Sequence, residues 1–221
     1  MDKQSYIPYK SIQIDEKEMT QRSKAFYQYL NLRRSVRDFS NRTVSKEVIE
    51  KIIMTASSAP SGAHKQPWTF CAVSNPLIKN KIKNAAEKEE YESYNNRMSE
   101  EWLDALKPMG TNWEKPFLEI APWLIIVFKK AYDIDENGSR HKNYYVNESV
   151  GIACGFLITA IHQAGLVTLT HTPSPMNFLQ KILDRPANER PYLLLPVGYP
   201  RKEATVPNFE RKPANKVIKW Y

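Results

Sequence analysis

Glycine is scarce in this chain, with seven in 221 residues, and none falls in a G-x-G-x-x-G or G-x-x-x-x-G-K-[ST] pattern. Such loops work by letting backbone N–H groups close around a phosphate. Any phosphate bound here must therefore be held by side chains. Cysteine is scarcer still. Cys71 and Cys154 stand far apart among apolar neighbours (Phe70 and Ala72; Ala153 and Gly155). That reads as two buried free thiols in a reducing compartment, and it excludes a disulfide scaffold, a CxxC redox pair and a thiolate zinc site. Four scattered histidines form no metal-ligand pattern. Long apolar runs are missing too: the longest, residues 150–161, contains Thr159 and is too short to span a bilayer, and residues 1–5 carry no apolar signal core. A soluble, cytoplasmic protein with no membrane partner and no metal is expected.

What the chain does have is length for one large domain, ordinary apolar content and a net charge of +8 with a pI near 9.3. The excess could suit a nucleic acid. However, basic and acidic residues alternate through 79–101, and no basic stripe interleaved with aromatics occurs. A solvated surface plus a site for an anionic ligand accounts for the charge, and no nucleic-acid partner is expected.

Periodicity predicts helices over 16–31, 45–59 (Ser45 as cap, Pro60 as stop), about 78–102, and 147–164 with Gly165 as the left-handed terminator. Apolar runs predict strands over 68–74, 124–129, 167–170 and 192–198. Interleaved strands and helices without a linker or repeat point to an α/β or α+β sandwich. Residues 201–221 are unpatterned and form a tail that either frays or lies across another subunit.

Three constellations carry possible chemistry. In an extended Arg33-Arg34-Ser35-Val36-Arg37 stretch, Arg33, Ser35 and Arg37 share one face and set two guanidinium forks around a hydroxyl, which suits a phosphate. Alone, the stretch reads first as a solvated arginine cluster; without a glycine loop it is the phosphate candidate, joined by Arg211 if the tail folds back. Glu90 and Tyr94 lie one helical turn apart, and Lys115 follows a loop holding Pro108 and Gly110. They either face water or receive an amino acid, carboxylate to ammonium and lysine to carboxylate. Thr168, Thr170 and Thr172 alternate along a strand that stops at Pro173. They offer hydroxyls to a heterocycle nitrogen, or express β-propensity alone.

Taken together, Arg33 to Arg37, Ala59-Pro60-Ser61-Gly62-Ala63-His64 and Gln66-Pro67-Trp68-Thr69-Phe70 resemble the FMN-dependent nitroreductase superfamily. Glu90 with Tyr94, Thr111-Asn112-Trp113 before Lys115, Ile152-Ala153-Cys154-Gly155, Leu195-Pro196-Val197-Gly198-Tyr199-Pro200, and 202–207 leading to Arg211-Lys212-Pro213 are similar to its iodotyrosine deiodinase family. The resemblance runs from about Asn31 to Pro213.

It implies an α+β, nitroreductase-like three-layer α-β-α sandwich with a mixed sheet, forming an intertwined homodimer whose sites are shared between subunits. The whole chain, 1–221, would be one FMN-binding domain, with a lid at about 88–116 and an arm at about 201–221 reaching the partner. Arg33, Arg34, Ser35, Val36, Arg37 and Arg211 would hold FMN. Ser61, Gly62, Thr170, His171 and Thr172 would line the flavin, with the Thr172 hydroxyl acting catalytically at N5. The Ala63 amide would meet a substrate phenolate, while Glu90, Tyr94 and Lys115 grip a halotyrosine zwitterion. The implied reaction is reductive dehalogenation of 3-iodotyrosine and other halotyrosines to tyrosine and halide. Electrons would come from an external, NADP-linked donor, a reductase or reduced carrier. The alternative is a general FMN nitroreductase acting on nitroaromatics or quinones. The chain differs from membrane-anchored members in showing no N-terminal anchor, and it has His171 where a threonine is common.

Overall fold

The computed structural model describes residues 6–221, which fall into two compact units, one running up to Arg33 and one from Arg34 to Tyr221. Residues 1–5, where no signal core is expected, lie outside the described residues. In the first unit α1 spans Glu16–Asn31, as its spacing predicts. The Asp15 carboxylate accepts the Glu18 N–H at 2.7 Å, a capping bond that satisfies one orphan donor of the first turn. None of the α1 side chains is buried.

The second unit is built on a sheet in the order β1 (Trp68–Val73), β2 (Trp123–Lys130), β6 (Glu189–Gly198), β5 (Val167–Thr168). Every strand pairing in it is antiparallel. The expected mixed sheet is thus reduced to one isolated parallel bridge, Ser35 to Thr168, while the α+β class holds. The continuous apolar run of β2 arises because both faces of the sheet are covered. Leu124, Ile126 and Phe128 enter one core and Ile125 and Val127 the other, all fully buried.

On one face α2 (Lys46–Ser57) and α6 (Val146–Gln163) contribute Ile49, Ile52, Ala56, Val150, Ala153 and Leu157. On the other face lie α3 (Pro76–Glu92), α5 (Phe117–Ile120) and α7 (Asn177–Ile182), with Ile82, Ala86, Leu118 and Leu179. Three layers result, as expected. Ser45 caps α2 by accepting the Val48 N–H at 3.3 Å, and Gly165 takes φ 73° just after α6.

Three further expectations are corrected, and one hairpin is added. The helix predicted over 78–102 breaks: α3 ends at Glu92, a widened π turn covers Ser93–Arg97, and α4 resumes at Glu100–Leu106 behind a Ser99 cap. Charge alternation supports any of these turns equally, so spacing alone does not show the break. Strand 167–170 shortens to two residues because Leu169 leaves the ladder and only His171 bridges back to Leu194. A charged hairpin, β3 (Tyr132–Ile134) and β4 (Arg140–Lys142), was not anticipated; Asp135 organises its turn by accepting the Asn137 and Ser139 N–H groups. Cys71 is half-buried, on the edge strand β1, whereas Cys154 is buried and its thiol is pushed up to about 12 by desolvation. Among the described residues no helix is long and apolar enough to cross a membrane.

Candidate active site

The stretch that begins at Arg34 runs beside β5 and the end of β6. Ser35 bridges Thr168, the Val36 N–H donates to the Thr168 carbonyl at 3.2 Å, and the Arg201 N–H donates to the Asp38 carbonyl at 3.0 Å. Val36 and Phe39 are buried. Alternation leaves Ser35 exposed and Arg37 half-buried, both lining a cavity of about 350 Å³ with Pro108 to Gly110 and Thr205 to Pro207. The Arg34 guanidinium donates to the carbonyl of Pro207, one of the residues lining that cavity, and ties down the start of the tail. Arg33 closes the first unit, its N–H donating to the Leu30 carbonyl at 3.1 Å. Arg211 is exposed in the tail, just before α8 (Ala214–Val217).

The Pro-Ser-Gly turn is under backbone strain. Ala63, His64 and Gln66 have φ of 49°, 55° and 47°, the left-handed region that side-chain-bearing residues rarely adopt. The surroundings enforce it. The Gln66 N–H donates to Ser61 Oγ at 2.8 Å, and the Gly62 N–H donates to Oγ of Ser149, buried on α6, at 3.2 Å. A Cβ at Gly62 would lie 2.8 Å from the Tyr144 carbonyl oxygen, so this backbone packing admits glycine alone. Ala63 and His64 are left exposed at the tip.

The three threonines behave differently. Thr168 is buried, and its hydroxyl donates to the Pro196 carbonyl at 2.7 Å, so it holds β5 to β6. Thr170 and Thr172 are exposed. His171 between them points inward, as alternation requires. Its N–H and carbonyl both pair with Leu194, at 2.9 and 3.1 Å, and its ring meets Phe117 edge-on at 5.6 Å. Burial, with the cations of Lys115 and Arg37, pulls its pKa down to about 3, so the imidazole is neutral; Nε2 has no hydrogen-bond partner.

Glu90, Tyr94 and Lys115 come together. Glu90 Oε2 lies 3.1 Å from Lys115 Nζ, with 11% and 3% of the two side chains exposed. Lys115 Nζ sits 5.4 Å from the Tyr94 ring centroid and also donates to the Thr111 hydroxyl and the Asn112 carbonyl. Helical spacing puts Glu90 and Tyr94 on one face, and the Glu87 carboxylate, accepting the Lys115 N–H at 2.7 Å, fixes the loop that carries the lysine. Burial raises the Glu90 pKa and lowers that of Lys115, and each partner opposes the other's shift. Burial also raises the Tyr94 pKa, while Thr111 hydrogen-bonds it. Arg37 acts electrostatically on Tyr94, Lys115 and His171, which joins the anion stretch to this group.

Two features escaped the sequence reading. The neutral, unpartnered His171 depends on contacts far along the chain. A second series, Glu89, Ser93 and Arg97, runs one residue out of step with Glu90 and Tyr94 and meets the Ser174 carbonyl. Its four-residue spacing was the available signal.

The sheet carries the anion stretch and two exposed threonines beside β5, and the strained turn ahead of β1 at its other edge. The chain belongs to the Nitroreductase family, whose model matches residues 30–199. Within it, the chain is 65% identical over 219 residues, 99% of both chains, to iodotyrosine deiodinase of Haliscomenobacter hydrossis. It is 48% identical to iodotyrosine deiodinase 1 of Homo sapiens, over 96% of this chain and 74% of that one. Among solved structures, oxidized iodotyrosine deiodinase bound to FMN and 3-iodo-L-tyrosine superposes with a TM-score of 0.75 at 31% identity, covering 89% of this chain and 98% of that one. A BluB-like flavoprotein from Clostridium difficile shares the fold at TM-score 0.67 and 20% identity.

Proposed function

We propose that this chain is an FMN-dependent oxidoreductase that reductively dehalogenates 3-iodotyrosine and other halotyrosines. The observation that carries the substrate assignment is the buried Glu90–Lys115 pair against the Tyr94 ring. A carboxylate and an ammonium already desolvated together match the ammonium and carboxylate of an amino acid. A nitroaromatic or a quinone has no use for either. The likeness to a deiodinase holding FMN and 3-iodo-L-tyrosine supports the same reading.

The residues fit FMN. Ser35 and Arg37 line a cavity of about 350 Å³ and would take the phosphate end together with Arg211, without any glycine loop. Arg34, bonded to Pro207, would serve by fixing the tail beside that end, and buried Val36 by holding the stretch in register. Ser61, Gly62, Thr170, His171 and Thr172 would follow the ring, with the exposed Thr172 hydroxyl as donor to N5. FMN, when bound, supplies two electrons; with one proton they replace the carbon–halogen bond by carbon–hydrogen and release halide.

The protein's own part is orientation and exclusion of water. Glu90 would turn from Lys115 to the substrate ammonium, and Lys115 to its carboxylate. This exchanges one buried ion pair for two charge-assisted contacts. The strained turn would aim the Ala63 N–H at the phenolate oxygen. Halogen on the ring lowers the phenol pKa, so this donor selects the anion near neutral pH.

Residues 88–116 would then act as a lid, since they carry the clamp. A homodimer is supported by the outer face of α6, where Ile152 and Phe156 are 45% and 41% exposed one turn apart, and by the exposed Phe209 and Trp220 of the 201–221 arm. Two free thiols agree with a cytoplasmic location, and the electrons would reach the flavin from an NADP-linked external donor. The test is a titration of the FMN-loaded protein followed by flavin fluorescence. 3-Iodotyrosine should quench at far lower concentration than 4-nitrophenol, and equal affinity for the two would overturn the assignment.

A further inference from the structure

The helix that carries the clamp presents a second, adjoining set of side chains. Glu89, Ser93 and Arg97 each lie one position from the Glu90 and Tyr94 face. They meet at the widened turn, where the Met98 N–H reaches back five residues to the Ser93 carbonyl at 2.9 Å. Arg97 Nη1 donates to Glu89 Oε2 at 2.9 Å and to the Ser174 carbonyl at 3.3 Å; Ser93 Oγ donates to the same carbonyl at 3.4 Å. Ser93 is buried, whereas 47% of the Arg97 side chain is exposed. Single-turn π-helical insertions concentrate where a helix must serve function at the expense of regularity.

Ser174 is two residues beyond Thr172, and Pro173 between them is buried with its φ fixed by the ring. On its other side, His171 is tied to Leu194 of β6 by both backbone groups. Thr172 therefore hangs between two anchors. One belongs to the core sheet. The other belongs to the helix that grips the ligand.

We propose that Arg97 is a positioning residue: through the Ser174 carbonyl it couples the clamp of Glu90, Tyr94 and Lys115 to the placement of Thr172. Binding of a halotyrosine, on the reading above, orders the helix and by the same contact orders the Thr172 loop. The clamp and the reacting edge of the cofactor are thereby made to report to each other. Arg97 touches neither.

The test is amide hydrogen exchange on the FMN-loaded protein, comparing wild type, Arg97→Met and Arg97→Lys, with Ser93→Ala as a second variant. Without ligand, Arg97→Met should speed exchange in the peptide covering 170–176 by roughly three- to tenfold, with Arg97→Lys in between, as for loss of a local anchor. With saturating 3-iodotyrosine, wild type should gain protection in both 88–98 and 170–176; Arg97→Met should gain it in 88–98 alone. Unchanged exchange of 170–176 in both Arg97→Met and Ser93→Ala would overturn the coupling. A wild type in which 3-iodotyrosine protects neither segment would instead refute the halotyrosine reading, while the ligand-free comparison still decides the anchor.

Discussion

The carboxylate of Glu90 and the ammonium of Lys115, 25 positions apart in sequence, meet at 3.1 Å in the protein interior. Breaking such a pair from one side leaves an uncompensated buried charge, which costs about 3–5 kcal/mol. Glu90→Gln and Lys115→Met should each lower the midpoint of chemical unfolding, and the double variant should be more stable than the sum of the two predicts. Halotyrosine affinity should nevertheless fall more than about tenfold in all three, because the ligand loses charged partners. A purely structural pair would restore affinity in the double variant along with stability.

His171 makes stability depend on acid. Its ordinary pKa of 6.5 is drawn down to about 3 by burial and by Lys115 and Arg37. Below pH 6.5 the unfolded chain takes up a proton that the folded chain refuses until about pH 3. The stabilisation is thus complete above 6.5 and lost progressively toward 3. At pH 5 the loss from this residue should be about 2 kcal/mol, at about 1.4 kcal/mol per unit of pH. Urea unfolding at pH 7 and pH 5 measures it, and His171→Phe should remove that part of the difference.

The alternating threonines separate structure from chemistry. Thr168→Val breaks the buried bond to the Pro196 carbonyl and should cost about 1–2 kcal/mol of stability, with turnover per folded molecule unchanged. Thr172→Ala should leave stability within about 0.5 kcal/mol. Its dehalogenation rate should fall about tenfold, as for the net loss of one ordinary hydrogen bond, with halotyrosine affinity nearly constant, and Thr172→Ser should recover most of the rate. Paired unfolding curves and steady-state kinetics distinguish the two patterns.

Gly62→Ala forces a methyl group to 2.8 Å from the Tyr144 carbonyl oxygen, a backbone atom that has nowhere to go. The strained turn should shift, with a stability loss of about 1–3 kcal/mol and weaker FMN retention on gel filtration. Gly155→Ala, in the interior of α6 with nothing within 4 Å of the added carbon, should instead raise monomer stability by about 0.5–1 kcal/mol.

Local physics made much of the fold legible. Ser45 and Gly165 terminate α2 and α6 by side-chain capping and left-handed backbone, which operate within four residues. The unbroken apolar run of 124–128 announced a strand buried on both faces. The clamp residues were legible as candidates only. Glu90 and Lys115 on spacing alone belong to a charged surface, and the Glu87 contact that draws Lys115 under α3 is tertiary. The same limit hid the bond from Arg34 to Pro207 and that from Arg97 to Ser174, each joining segments more than 70 residues apart. The break of the helix at Ser93 was hidden because helix propensity does not distinguish an α from a π turn.

The most direct test is stoichiometric. FMN-loaded protein reduced by a chemical reductant should convert 3-iodotyrosine to tyrosine and iodide one for one, and Glu90→Gln should lose this at substrate concentrations where wild type is saturated. Reduction of nitroaromatics without release of iodide, insensitive to Glu90→Gln, would contradict the account.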